Sequence, residues 1–91
     1  MPAVKFTTHL EKFFPGVTQG VIVQARTVAE AVAALDRQFP GLAAYLVDDQ
    51  GALRKHVNIF VDDSLILDRQ RLSDPLTDSN RVYVYQALSG G

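Results

Sequence analysis

The sequence predicts an α+β domain, a mixed sheet of four to five strands with one main helix packed across one face. Two observations carry that prediction. Runs at residues 4–10, 21–25, 55–61 and 81–87 alternate between apolar and polar or are rich in β-branched residues, the pattern of strands. Between the second and third of them lies a single amphipathic stretch with a helix-start signal, residues 27–39. With 91 residues the chain has the length of one small domain, so one well-made core must stabilise it.

Taken in order, Val4, Phe6, Thr8 and Leu10 fall on one face of the first run, and Pro15-Gly16 then punctuates a connection. Residues 21–25 form the second strand, so the first two are expected to make an antiparallel hairpin with a long loop. Thr27-Val28-Ala29-Glu30 has the form of a capping box, in which the threonine hydroxyl accepts the Glu30 amide and Glu30 reaches back to the Thr27 amide. Val28, Val32, Leu35 and Phe39 follow as an apolar stripe, and the alanines at 29, 31, 33 and 34 favour helix. Pro40 ends the helix because the residue before a proline is pushed out of helical angles.

Residues 43–47 fit a short helix or a short strand. Asp48-Asp49-Gln50-Gly51 is a turn, residues 55–61 a strongly β-branched strand, and Asp62-Asp63 turns the chain again. Residues 64–67 add a short strand. Asp74-Pro75 and Asp78-Ser79-Asn80 are turns, and the last strand, 81–87, runs into Leu88-Ser89-Gly90-Gly91. The division is a domain over 1–87 and a tail over 88–91. One leucine, one serine and two glycines bring too little apolar surface to offset ordering, so the tail is expected to be mobile.

Composition removes several kinds of chemistry. The sequence contains no cysteine, which leaves neither a disulfide nor a cysteine metal site. A net charge of −1 with scattered lysines and arginines is no footprint for nucleic acid. No apolar run approaches the roughly 20 residues that span a membrane, and Met1-Pro2-Ala3-Val4 leads into a strand pattern rather than a signal peptide. The expectation is a cytoplasmic protein. His9 and His56 are far apart, and the Asp48-Asp49 and Asp62-Asp63 pairs read as solvated turns. Ser73 and Ser89 lack a nearby histidine, and the glycines form no phosphate-binding loop.

The Gly90-Gly91 ending stands out. At a glycine frequency of roughly 7%, chance gives it about once in 200 chains. A terminal glycine carboxylate is unhindered, and without Cβ the segment can thread a narrow channel. Strand, strand, helix, strand, short strand and strand, followed by such a tail, is the plan of the ubiquitin-like β-grasp. The sequence resembles the MoaD/ThiS family of sulfur-carrier proteins over its whole length. The residues that carry this are Phe39-Pro40-Gly41-Leu42, Val57-Asn58-Ile59-Phe60-Val61 with its acidic turn, Pro75-Leu76-Thr77-Asp78, Arg81-Val82-Tyr83-Val84-Tyr85 and Gly90-Gly91. Leu53-Arg54-Lys55-His56-Val57-Asn58 is similar to the longer branch, that of molybdopterin-synthase small subunits and cysteine-biosynthesis carriers. Where the family often has Asn-Gly after the third strand, this chain has Asp62-Asp63.

The resemblance implies a protein cosubstrate rather than an enzyme. A ThiF/MoeB-like activating enzyme adenylates the Gly91 carboxylate with ATP, so the carrier itself binds no cofactor or metal. Sulfur then converts Gly91 to a thiocarboxylate. A biosynthetic enzyme of the molybdopterin synthase large subunit or cysteine synthase type accepts it. Leu88, Ser89 and Gly90 thread into the partner, the four residues 88–91 reaching about 13 Å at ~3.3 Å each. Alternatives from the same ending are a ubiquitin-like modifier conjugated through Gly91, and an interaction module whose tail is chemically idle. Strand parity adds a surface. If Val57, Ile59, Val61, Val82 and Val84 face the helix, then Phe60, Tyr83 and Tyr85 face away. The β-grasp leaves that face open, and aromatic clusters of this kind are enriched at interfaces.

Overall fold

The structure, a computed structural model, describes residues 1–6 and 10–86. In chain order it has β1 (Ala3–Phe6), a 3₁₀ turn (Val17–Gln19), β2 (Val21–Ile22), α1 (Val28–Gln38), α2 (Leu42–Leu46), β3 (Val57–Val61), β4 (Ser64–Leu65) and β5 (Arg81–Gln86). The five strands make one sheet in the order β2-β1-β5-β3-β4. β1 pairs antiparallel with β2 and parallel with β5, while β5 pairs antiparallel with β3. This is the expected β-grasp, with the expected hairpin.

The strands obey the parity read from the sequence. Val4 and Phe6 of β1, Val57 and Ile59 of β3, and Val82 and Val84 of β5 are all buried beneath α1. Val61, expected with them, is only half-buried at the end of β3. β1 and β2 are shorter than their apolar runs. Leu10, Val23 and Ala25 are still buried, but they enter the core from the connections rather than from the ladder. Thr8, expected on the first strand, and the expected tail 88–91 lie outside the described residues.

Helix α1 begins where the sequence places it. The Thr27 hydroxyl accepts the Glu30 amide at 3.2 Å. The capping box closes differently from expectation, because the Glu30 carboxylate accepts the Arg26 amide at 2.8 Å. The next two amides are satisfied from far along the chain: Val28 donates to the Asp74 carbonyl at 3.0 Å and Ala29 to the Leu72 carbonyl at 2.8 Å. The N–H groups that a helix start leaves unpaired are thus taken up by the 66–80 loop. That loop drops Ile66, Leu72 and Leu76 into the core. The helix stops at Gln38, one residue short of the stripe's Phe39, which adopts φ −130° ahead of Pro40. Ala31 and Ala34 are buried beside Val28, Val32 and Leu35. They are part of the packing face and not only good helix formers.

Residues 42–46 resolve the helix-or-strand alternative as the single-turn helix α2. Gly41 at φ 95° reverses the chain, and the Asp36 carboxylate accepts the Gly41 and Ala43 amides at 3.1 and 3.0 Å, which ties α2 to α1. Other aspartates organise turns in the same way. Asp48 accepts the Gln50 and Ala52 amides, and Asp74 accepts those of Leu67 and Asp68. Asp68 accepts the Ser73 hydroxyl and the Gln70, Arg71 and Ser73 amides. These bonds, the Ser73 hydroxyl first and the Arg71 amide next, lower the Asp68 pKa to about 2.

Leu35 is 1% exposed. Leu35→Ala should cost about 2–5 kcal/mol in chemical denaturation, with the value set by how far the cavity collapses; a loss below about 0.5 kcal/mol would place it on the surface. The lowered Asp68 pKa sets a pH dependence. Its contribution is fully present above the ordinary carboxylate range near 3.8 and is lost as pH falls toward 2. Asp68→Asn should therefore flatten the fall of unfolding free energy between pH 4 and 2. An unchanged slope would show that other carboxylates dominate.

Candidate functional site

Four residues, two at alternate positions on each of two neighbouring strands, make the site's surface. Phe60 on β3 lies directly opposite Tyr83 on β5, and Asn58 lies opposite Tyr85. Residues opposite one another in a ladder share a face, so all four project from the side of the sheet away from α1. Phe60 and Tyr83 are half-buried and Tyr85 is 48% exposed. The rings of Phe60 and Tyr85 meet edge to face, with centroids 5.6 Å apart at 88°. That arrangement sets the positive ring edge against the negative face. Together with Asn58, Asp62 and Asp63 the three aromatics line an open depression of about 610 Å³. The sequence thus placed the aromatics on the right face, and the structure brings all three together.

The acidic end of the depression is a turn. Asp62 adopts φ 54°, a left-handed conformation that Asp and Asn tolerate better than most residues. Its carboxylate accepts the Arg81 amide at 2.9 Å and the Asn80 side-chain amide at 2.8 Å. Asn80 in turn accepts the Thr77 amide. Asp62 therefore stitches the β3–β4 turn to the start of β5.

Sequence reasoning missed two contributors. Leu65 on β4 opposes Phe60 and is 51% exposed, which extends the apolar surface to the sheet edge. Its signal was available: two residues past an acidic turn, a strand residue opposite Phe60 must share its face. Arg69 was not legible at all. Its guanidinium donates to the carbonyls of Arg54 and Val57 at 2.8 and 2.9 Å and to the Asn58 side chain at 3.2 Å, fixing the start of β3.

The position of this surface follows from register. Val57 opposes Gln86, so β3 starts where the described part of β5 ends, and Tyr85 is the last open-face aromatic of that strand. Residues 87–91, including the expected reactive Gly91 and threading Leu88, Ser89 and Gly90, lie outside the described residues. Ser73 is engaged by Asp68. Among the described residues no group of three or more His, Asp or Glu side chains is placed to hold a metal ion. Nor is any helix there long and apolar enough to cross a membrane.

Comparison with known proteins supports the same picture. Small archaeal modifier protein 3 of Haloferax volcanii is 28% identical over 65 residues, which span 71% of this chain and 70% of that protein. A chain of the Amycolatopsis orientalis BexX/CysO complex superposes with a TM-score of 0.84 at 22% identity, covering 100% of both chains. Mycobacterium tuberculosis CysO superposes with a TM-score of 0.83 at 23% identity, over 97% of this chain and 100% of that one. The ThiS family pattern matches residues 4–91, the Gly90-Gly91 pair included, and the chain belongs to the ThiS family.

Proposed function

We propose that the protein is a sulfur carrier whose Gly91 carboxylate is the group that reacts. One observation carries the reading. The central strand β5 ends beside an aromatic surface, and the family match runs through the Gly-Gly pair. The covalent steps balance simply. A Gly91 carboxylate oxygen attacks the α-phosphorus of ATP on a ThiF/MoeB-like activating enzyme and pyrophosphate leaves. A sulfide-level nucleophile then attacks the acyl carbon, AMP leaves, and one oxygen of the carboxylate has been replaced by sulfur. The thiocarboxylate passes its sulfur to a biosynthetic enzyme.

The carrier's own residues bind and position. Leu88, Ser89 and Gly90 span the distance into the partner's site, and Phe60, Tyr83 and Tyr85 hold the body against it. ATP and the catalytic groups belong to the partner. The modifier relative favours a second reading, conjugation of Gly91 to a partner's lysine. The activation step is common to both and only the acceptor differs. An isopeptide bond from Gly91 recovered from cells supports conjugation, whereas a thiocarboxylate mass supports the carrier.

Incubation with the activating enzyme, ATP and sulfide should raise the intact mass by about 16 Da, the sulfur–oxygen difference. Deleting Gly91, or adding one residue after it, should abolish the gain. Sulfur transfer to the extended chain without prior trimming would sink the proposal. Tyr85→Ala should weaken binding to the enzyme by about 2 kcal/mol or more, near thirtyfold. Stability should fall only by about 0.5–1.5 kcal/mol, the size of one edge-to-face contact. Unfolding with unchanged affinity of the folded fraction would assign the ring to the core instead.

A further inference from the structure

A second depression, of about 540 Å³, flanks the exit of β5 on the side away from the Asp62 turn. Arg54, Lys55 and Arg69 line it, with Asp48 as its one acidic residue. The chain as a whole carries net charge −1, so this concentration of cations runs against the average. Its place is set by the backbone. Residues 54–56 lead directly into Val57, which opposes Gln86, the last described residue of β5. Arg69 is held there by the carbonyls of Arg54 and Val57, and Arg54 by the Ala44 carbonyl, which accepts its Nε at 2.9 Å. The two guanidinium charges therefore have a fixed position. Lys55 is exposed, with no hydrogen bond or ion pair among the described residues.

We propose that Arg54, Lys55 and Arg69 form a docking surface for carboxylates on the activating enzyme, steering the carrier so that its tail meets the nucleotide site. The inference rests on the sulfur-carrier reading for the identity of the partner. Continuity supports it, because Arg69 donates to Asn58, and Asn58 lines the aromatic depression. The basic and aromatic surfaces thus adjoin at the root of the tail.

Fixed cations at the rim of an interface act on encounter, and salt screens them over about 10 Å at 0.1 M. The test compares Lys55→Glu with Arg37→Glu. Arg37 is exposed on α1, and the two reversals change net charge equally. Pyrophosphate release by the activating enzyme should show KM raised roughly tenfold at low salt for Lys55→Glu alone, with kcat unchanged. The difference should shrink at about 0.3 M salt, where the screening length is below ~8 Å. Equal effects of the two variants, or an effect on kcat, would overturn the proposal. A partner-free arm titrates the isotopically labelled full chain with a polyglutamate peptide. Amide shifts should cluster at residues 54–56 and 69–70 and collapse in Lys55→Glu. Shifts centred on Lys5 and Arg81, or stronger binding there of an oligothymidylate of equal charge, would also overturn it. If the peptide shifts stand while wild-type protein never gains sulfur, the carrier reading fails and the acidic-partner surface remains. If sulfur is gained while Lys55→Glu behaves as Arg37→Glu, only the docking surface fails.

Discussion

The parallel pairing of β1 with β5 is the constraint on which the rest of the molecule depends. It inserts the last strand between the first and third, so β5 is hydrogen-bonded along both edges. A strand held this way places Gln86, its last residue, at a fixed point in the sheet. The open-face residues of the neighbours are then fixed relative to that point: Lys5 beside Tyr83, Phe60 beside Tyr83, and Asn58 beside Tyr85. Because parallel neighbours need a long crossover, everything from residue 7 to residue 80 is topologically the connection between β1 and β5. The helix, the hairpin and the loops all serve to bring those two strands together.

That long connection is secured by polar groups of the loop and the helix start. The 66–80 loop gives its Leu72 and Asp74 carbonyls to the first amides of α1, while Asp68 and Asp74 gather the loop's own amides. Leu72 holds φ 55°, a strained conformation for a bulky residue, and keeps it because its side chain is buried. Helix, loop and sheet are therefore interdependent. A change in the loop will be felt at the start of α1 before it reaches the aromatic surface. The abundance of aspartates, which in a sequence invites a search for acid–base pairs, is explained by turns and helix ties.

Much of this was legible. Period-two alternation identified the burial of Val57, Ile59, Val82 and Val84, and by exclusion the outward direction of Phe60, Tyr83 and Tyr85. Thr27 and Pro40 bracketed α1 because a cap and a proline act locally. What was not legible depends on contacts across the chain. Nothing in the runs at 4–10 and 81–87 encodes their parallel partnership, since a strand's pattern reports which face is buried and not its neighbour. Arg69 looks like any loop arginine until three acceptors 11 to 15 residues away converge on it. The pairing of the helix start with the 66–80 loop, through the bridge between Thr27 and Pro75, is likewise a distant contact that the local pattern does not encode.

The make-up of the open face bears on how long a complex lasts. Phe60 and Tyr83 are already half-covered in the free domain, so a partner removes only part of their area from water, and Tyr85 and Leu65 supply most of the new apolar burial. At about 25 cal/mol per Å² such a patch is a modest contribution. On the proposed sulfur-carrier reading that modesty is useful, because a carrier has to leave the activating enzyme once loaded and meet a second partner. Tight binding to either would slow turnover. Charge beside the tail root offers a way to recover speed without lifetime, since rim electrostatics act mainly on association and apolar anchors mainly on dissociation. On the proposed reading, the division of the surface into an aromatic depression and an adjoining basic one is the arrangement expected of a carrier that arrives quickly, presents its end and departs.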